Sequence, residues 1–225
     1  MSKIKWDLTG ERIFETGVDH AVLYIPDNTG AYATGVPWNG IKNISEQPSG
    51  AEPNKQYADN MVYFNLVSAE DYKLKLEVYT YPEEFMQFDG VASPQPGVSI
   101  GQQSRGVFGL AYRTLIGNDL VGQDAGYKLH LVYGAQSSPS EKSYDTINES
   151  PEATTFSYDL STTPVVVGTV GGVAYKPAAS LTINSTKVNA AKLAAFEAIL
   201  YGTDGSPGTT ARLPLPAEVI GLFAP

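Results

Sequence analysis

Cysteine is absent from this chain of 225 residues, which excludes disulfides, thiolate metal sites and cysteine nucleophiles. Histidine is nearly absent. His20 and His130 are the only two, too few without cysteine for the usual zinc ligand sets. Charge is sparse as well: charged residues make up 17%, where about 25% is usual in a soluble chain. That deficit suits a surface hidden against copies of itself, and equally a polar uncharged surface. Basic residues number 15 against 24 acidic ones, for a net charge of −9. They form no cluster of the kind that displaces counterions from a nucleic-acid backbone, so tight nucleic-acid binding is not expected and repulsion of DNA is. No apolar run approaches the ~20 residues of a membrane span, and Met1-Ser2-Lys3-Ile4-Lys5-Trp6-Asp7 has no apolar signal core. Without such a core, the acceptor triplets beginning at Asn43, Asn148 and Asn184 carry no expectation of glycosylation. No glycine-rich phosphate loop is present.

What the chain does have is 14 Tyr, 22 Gly and 15 Pro. Tyrosine favours strands and half-wet interfaces, and glycine and proline punctuate turns. Residues 20–26, 37–46, 61–67, 72–81, 107–116, 127–134, 153–160, 164–170 and 173–183 read as strands. The firmest is 72–81, where Tyr72, Leu74, Leu76, Val78 and Thr80 alternate with Lys73, Lys75, Glu77 and Tyr79, the period of a half-buried antiparallel strand. Gly171-Gly172 suits a tight turn. Residues 82–88 read as a short helix with Pro82 at its first position and Glu83 and Glu84 at its positive end. Residues 189–202 read as a longer helix, with Asn189 as cap, Leu193, Phe196 and Leu200 on one face and Gly202 as terminator. Strands first and a helix late predict a mainly β (α+β) domain spanning 1–225, an antiparallel two-sheet β-sandwich with a flanking α-helix. Residues 1–19 read as an N-terminal arm, 27–36, 47–60 and 90–105 as loops, and 203–225 as a flexible loop followed by an apolar tail. That tail could complete the core or dock on a neighbour. The 47–60 stretch holds Pro48, Gly50 and Pro53 and few large apolar residues. Structureless loops of about 12–15 residues are uncommon and usually functional.

Chemistry is thinly represented. Ser104 sits between Gly101 and Gly106 without the spacing of a nucleophile elbow, and His130 lies among Leu129, Leu131 and Val132 in a strand, where a packing role is expected. Residues 118–124 (Asn-Asp-Leu-Val-Gly-Gln-Asp) offer oxygen ligands and a glycine but lack the order of a calcium loop, and read as a hairpin turn. Glu83-Glu84, Glu70-Asp71 and Asp145 with Glu149 are the paired carboxylates a glycosidase would need. In a chain with 24 acids they read as solvated faces and helix starts. Neither a catalytic residue, nor a metal ligand, nor a cofactor is assigned.

Thr9-Gly10-Glu11-Arg12, Glu15-Thr16-Gly17-Val18-Asp19, Val36-Pro37-Trp38-Asn39-Gly40, Pro48-Ser49-Gly50-Ala51-Glu52-Pro53 and Tyr57-Ala58-Asp59-Asn60 form the first half of an ordered series of motifs. Tyr79-Thr80-Tyr81-Pro82-Glu83-Glu84-Phe85, Ile100-Gly101-Gln102-Gln103, Tyr112-Arg113-Thr114, Gly117-Asn118-Asp119, residues 126–134 and Ser150-Pro151-Glu152 continue it. In this series, which runs in patches from about residue 7 to residue 220, the chain resembles the major tail protein (tail tube protein) family of long-tailed bacteriophages of Gram-positive bacteria. A cysteine of that family expected near Phe88-Asp89-Gly90 is missing. The resemblance implies a non-enzymatic structural virion protein, assembled in the host cytoplasm, whose hexameric rings stack into a tube. It implies as partners a tape measure protein, tail terminator and distal tail proteins, and double-stranded DNA that passes without sticking. It also implies self-assembly elements, which with their composition are the loop Pro48, Ser49, Gly50, Ala51, Glu52 and Pro53, and the N-terminal arm with Trp6, Thr9, Gly10 and Glu11. Rival readings from the residues are a carbohydrate-binding or adhesion sandwich using Trp6 and Trp38 as aromatic platforms, and a hydrolase using acidic residues in a cleft.

Overall fold

The computed structural model describes residues 3–147, 149 and 152–224. The Asn148 triplet and the Ser150-Pro151-Glu152 motif therefore fall at least partly outside the described residues. In chain order the strands are β1 (Ile13–Pro26), β2 (Tyr32–Pro37), β3 (Ile41–Glu46), β4 (Ser49–Gly50), β5 (Pro53–Ala58), β6 (Met61–Val67), β7 (Glu70–Asp71) and β8 (Lys73–Val78). A single 3-10 turn, Glu83–Phe85, precedes β9 (Ala92–Gln95), β10 (Val98–Ile100), β11 (Phe108–Asn118), β12 (Gly122–Ser137) and β13 (Phe156–Thr162). Then come β14 (Gly168–Val170), β15 (Val173–Tyr175), β16 (Ser180–Asn184) and the helices α1 (Ala190–Tyr201) and α2 (Pro216–Phe223).

Eight strands join in one antiparallel sheet in the order β2-β1-β11-β12-β13-β8-β3, with β16 also paired to β12. The expected pair of sheets is thus one hydrogen-bonded sheet that bends over itself. Leu23 and Leu110 of β1 and β11 meet Leu76 and Tyr158 of β8 and β13 in a single buried cluster, with Trp38 and Phe85. The opposite face of the β1-β11-β12 region packs Val22, Tyr24, Ala111, Leu129 and Leu131 under Leu193, Phe196 and Leu200 of α1. Because both faces are covered, residues 21–24 are buried without a break and read as a continuous apolar run rather than an alternating one. In β8, where one face is covered, Leu74, Leu76 and Val78 alternate with less buried neighbours as the sequence predicts.

The long strand β12 serves both halves of the fold. Its residues Lys128–Val132 pair with β16 and Ala135–Ser137 pair with β13. The change of partner happens at Gly134, whose φ is +62°. Tyr133 and Ala135 would share a face in a regular strand, yet Tyr133 belongs to the cluster under α1 and Ala135 to the other. The left-handed residue between them turns the strand over.

Several boundaries differ from the sequence expectation. The N-terminal arm is shorter than 1–19, because β1 begins at Ile13 and pairs with β11 from there. Two register shifts interrupt it, one between Thr16 and Asp19 and one between Asp19 and Val22. Gly17 (φ 66°) and His20 (φ 51°) lie in these two intervals, and such bulges erase the period-2 pattern. Residues 32–36, expected as loop, belong to β2, which ends at Pro37, and β9 and β10 make a small hairpin inside the 90–105 stretch. The tail holds α2, and its apolar residues complete the core. Leu213 and Val219 are buried in the cluster under α1, Leu213 N donates to Tyr32 O, and a Cβ at Gly109 would come within 2.7 Å of Leu213 Cδ2. Asn189 caps α1 by accepting from Ala191 N and Lys192 N, and Gly202 ends it, as the sequence predicts.

Candidate assembly interface

The largest departure from expectation is also the main candidate surface. Residues 47–60 are not a structureless loop, because β5 pairs with β6 from Pro53 opposite Val67 to Ala58 opposite Met61. Asp59 and Asn60, both at positive φ (53° and 63°), make the two-residue turn that such a hairpin needs. The hairpin rises from a base where Ser49 and Gly50 of β4 pair with Asp71 and Glu70 of β7, and that base continues the β3–β8 ribbon. The predicted assembly residues are therefore the root of an arm, not its tip. Ser49 and Gly50 lie in the base, Ala51 N donates to Ala69 O, Pro48 and Glu52 are exposed, and Pro53 opens the hairpin. Sequence reasoning placed Tyr57 in the candidate loop but missed Met61, Val62, Tyr63, Phe64, Leu66 and Val67, which with Tyr57 give the arm its chemistry.

All of these are exposed, Tyr63 at 67%, and none belongs to either buried cluster. The register places Tyr57, Val62 and Val67 on one face of the arm and Met61, Phe64 and Leu66 on the other. A two-stranded hairpin is marginal in water by itself, and one that is apolar on both faces gains most when both are covered.

The N-terminal residues divide in two. Ile4, Trp6 and Leu8 are exposed, Trp6 at 75%, and alternate with Lys3, Lys5 and Asp7. The next residues are tied down within the subunit: Gly10 N donates to Asp119 Oδ1 at 2.9 Å and Asn118 Nδ2 to Gly10 O at 3.3 Å, while Glu11 N donates to Leu8 O. The Asn118–Asp124 stretch is thereby the expected hairpin turn, with Asn118 Oδ1 accepting from Leu120 N and Val121 N. Thr9 sits in the turn beside Gly10.

The other singled-out residues are dispersed. Trp38 is 2% exposed, packed 4.4 Å from the Phe85 ring with its Nε1 donating to Thr80 O, so it cannot serve as an aromatic platform. Ser104 is exposed on a loop, and Glu83-Glu84 and Glu70-Asp71 are exposed in separate elements. His20 stands at the β1 bulge with Nδ1 3.1 Å from Asp19 Oδ1, and Asp19 accepts both Nε and Nη2 of Arg113 at 2.7 and 2.8 Å. The Arg113 guanidinium holds the Asp19 carboxyl below its ordinary range. Among the described residues, no three His, Asp or Glu side chains are placed to hold a metal ion, and no helix is long and apolar enough to cross a membrane.

A polar cluster sits at the arm's root. His130 of β12, its side chain 13% exposed, lies flat on Tyr112 with ring centroids 4.6 Å apart and planes 1° from parallel. Its Nε2 is 2.9 Å from Thr114 Oγ1 and its Nδ1 3.4 Å from Glu46 Oε1. Glu46, the last residue of β3, also accepts from Tyr112 Oη at 2.6 Å. The hydrogen bond from His130, with that from Tyr112, outweighs burial and holds the Glu46 carboxyl down at about 2, from an ordinary 4.5. A carboxylate depressed in this way stabilises the fold above pH 4.5 and loses that contribution as pH falls toward about 2. Glu46 is 42% exposed, so solvent screening limits the contribution to about 1 kcal/mol. Urea unfolding of wild type and Glu46→Gln should therefore differ near neutral pH and converge as the pH is lowered through that range.

No protein-family model matches the chain, and no curated protein matches it. Similar solved structures include a chain of the PVC sheath-tube complex of an extracellular contractile injection system in the extended state, at TM-score 0.34 and 12% identity, covering 80% of this chain and 94% of that one. Another is a chain of the six-fold symmetrised anti-feeding prophage baseplate, at TM-score 0.37 and 11% identity, covering 80% and 97%. A third is a chain of the PVC sheath/tube terminator in the extended state, at TM-score 0.32 and 13% identity, covering 73% and 98%. At these TM-scores the likeness establishes neither the fold nor the role of this chain.

Proposed function

We propose that this chain is a non-enzymatic structural subunit that assembles with copies of itself into hexameric rings stacked as a phage tail tube, the conduit for DNA ejection. The observation that carries the reading is the arm, a hairpin free of the core and apolar on both faces. Tyr57, Tyr63 and Phe64 contribute roughly 150–250 Å² each, so the arm brings several hundred Å² toward the ~800 Å² that one side of a standard interface buries. The sequence motifs resembling the tail tube proteins of long-tailed phages of Gram-positive bacteria supply the kind of assembly. The tape measure, terminator and distal tail proteins come in as partners on that resemblance.

Net charge supports the same reading. A subunit at −9, repeated around a channel, presents DNA with a wall that does not bind it. Ring closure needs a heterologous contact with the right rotation, and the β16 border is available for one. All five residues of β16 pair in register with β12 on one side, and no further strand flanks its other side among the described residues.

Negative-stain microscopy of concentrated purified protein, alone and with the other tail components, tests the proposal. Rings or tubes are the expected result. Single chains that persist under both conditions would sink it.

A further inference from the structure

The cluster around His130 can be resolved proton by proton. Thr114 Oγ1 donates its one hydroxyl proton to Glu15 Oε1 at 2.5 Å, so toward His130 Nε2 that oxygen can only accept. Glu46 Oε1 already accepts from Tyr112 Oη, and a carboxylate oxygen facing Nδ1 is an acceptor as well. Glu15 Oε1 lies 3.6 Å from Nε2. Every partner of both ring nitrogens is an acceptor, and the form of the side chain that satisfies all of them is the imidazolium, which donates from both sides.

The charges facing the ring come from every element around it. Glu15 belongs to β1 and Glu46 to β3, and Lys128 of β12 is bound to Glu15. Tyr112 and Thr114 stand on β11, Thr182 of β16 lies opposite His130 in the ladder, and Tyr72, hydrogen-bonded to Glu46, closes the far side. Two carboxylates face one lysine and one histidine, so the group is neutral with an imidazolium and carries one uncompensated negative charge without it.

The position of this group gives it a consequence. β1 and β3 are not hydrogen-bonded neighbours; across this opening they are joined through Glu15, His130 and Glu46. Glu46 ends β3 three residues before Ser49 starts the arm's base, and the next residue, Gln47, donates its N–H to Lys73 O. We propose that His130 is a charge-dependent clamp on the root of the arm: as an imidazolium it fastens Glu46 of β3 to Glu15 of β1, and when it loses its proton it frees the end of β3 and loosens the direction in which the arm is held. On the acid side the clamp ends where Glu46 takes up a proton. It is a property of the single subunit and does not depend on the tail-tube reading.

Amide hydrogen exchange of the full chain, corrected for the intrinsic pH dependence of exchange, tests this at about pH 5 and about pH 9, outside the usual spread of histidine values in folded proteins. Amides of residues 44–47 and 73–76 should lose protection by roughly tenfold at the higher pH, as expected for one charge-assisted hydrogen bond at a partly exposed site. Amides of 129–132 in the core should not change. His130→Gln should show the weaker protection at both pH values and no pH step. Should His130→Gln fail to fold, Glu46→Gln, altered at a side chain 42% exposed, removes the same bridge and should abolish the same step. Equal protection in wild type at both pH values, or a pH step that survives in both variants, would overturn the clamp.

Discussion

Gly134→Ala should cost the fold more than about 4 kcal/mol, a loss of the size reserved for severe core lesions. Two effects add. A φ of +62° strains any L-residue by about 1–2 kcal/mol. The new Cβ would also stand 2.1 Å from Thr163 O and 3.0 Å from its carbonyl carbon, and a backbone carbonyl cannot swing aside as a flexible side chain can. Thr163 is moreover held in place, its N–H donating to Gly134 O at 2.9 Å, while Gly134 N donates to the buried Tyr32 Oη at 2.8 Å. Urea unfolding followed by circular dichroism would measure the loss. Gly134→Asn separates the two causes, because asparagine tolerates positive φ but brings the same Cβ. It should be nearly as damaging as alanine. An alanine variant unfolding at the wild-type midpoint would mean that β12 does not change partners here.

Excising residues 53–67 and joining Glu52 to Ser68 through a two-residue turn should leave a stable subunit that no longer assembles. Pro53 and Val67 are cross-strand partners, so their neighbours are close enough for such a turn. The arm adds no side chain to either buried cluster, so unfolding stability should change by less than about 0.5 kcal/mol, as for surface changes generally. Assembly loses both apolar faces at once. Sedimentation and microscopy at matched concentrations should find single subunits where the intact chain forms rings or tubes. Tubes of ordinary length from the excised chain would show that the arm is idle in assembly, whatever else the subunit builds. Point variants refine the outcome: Phe64→Ser and Tyr57→Ser strike opposite faces, and a loss of assembly in each separately is expected if the arm lies between two neighbours.

The two experiments probe different levels of the molecule. Gly134 governs whether the sheet can be shared by two halves of the fold, and its failure would be seen in a dilute solution of single chains. The arm governs what copies do to one another, and its failure leaves the single chain intact. The His130 clamp links them, since it sits on the face that β11 and β12 provide and holds the strand from which the arm departs.

Elements with a purely local cause were legible from the residues alone. The alternation at Tyr72, Leu74, Leu76 and Val78 yields β8 because one face of it is buried, and α1 appears between its cap at Asn189 and its terminator at Gly202 because alanine-rich sequence and capping chemistry need no distant partner. The mainly β character, the Gly171-Gly172 turn between β14 and β15, and the burial of Leu193, Phe196 and Leu200 belong to the same class. Distant contacts set the rest. β5 is a strand because β6 lies beside it, not because it buries a face, so Pro53-Asn54-Lys55-Gln56 carries no period. The first half of β1 is disguised by the bulges near Gly17 and His20, which shift which side chains point inward. The apolar end at Leu213 and Val219 could have met a neighbour as readily as its own core, until Gly109 and Tyr32 opened the place it fills. His130, in an apolar run, looked like packing; its neighbours Glu15 and Glu46 are 115 and 84 positions away in the chain, and a proton-bridged cluster assembled across such separations leaves no trace in local spacing.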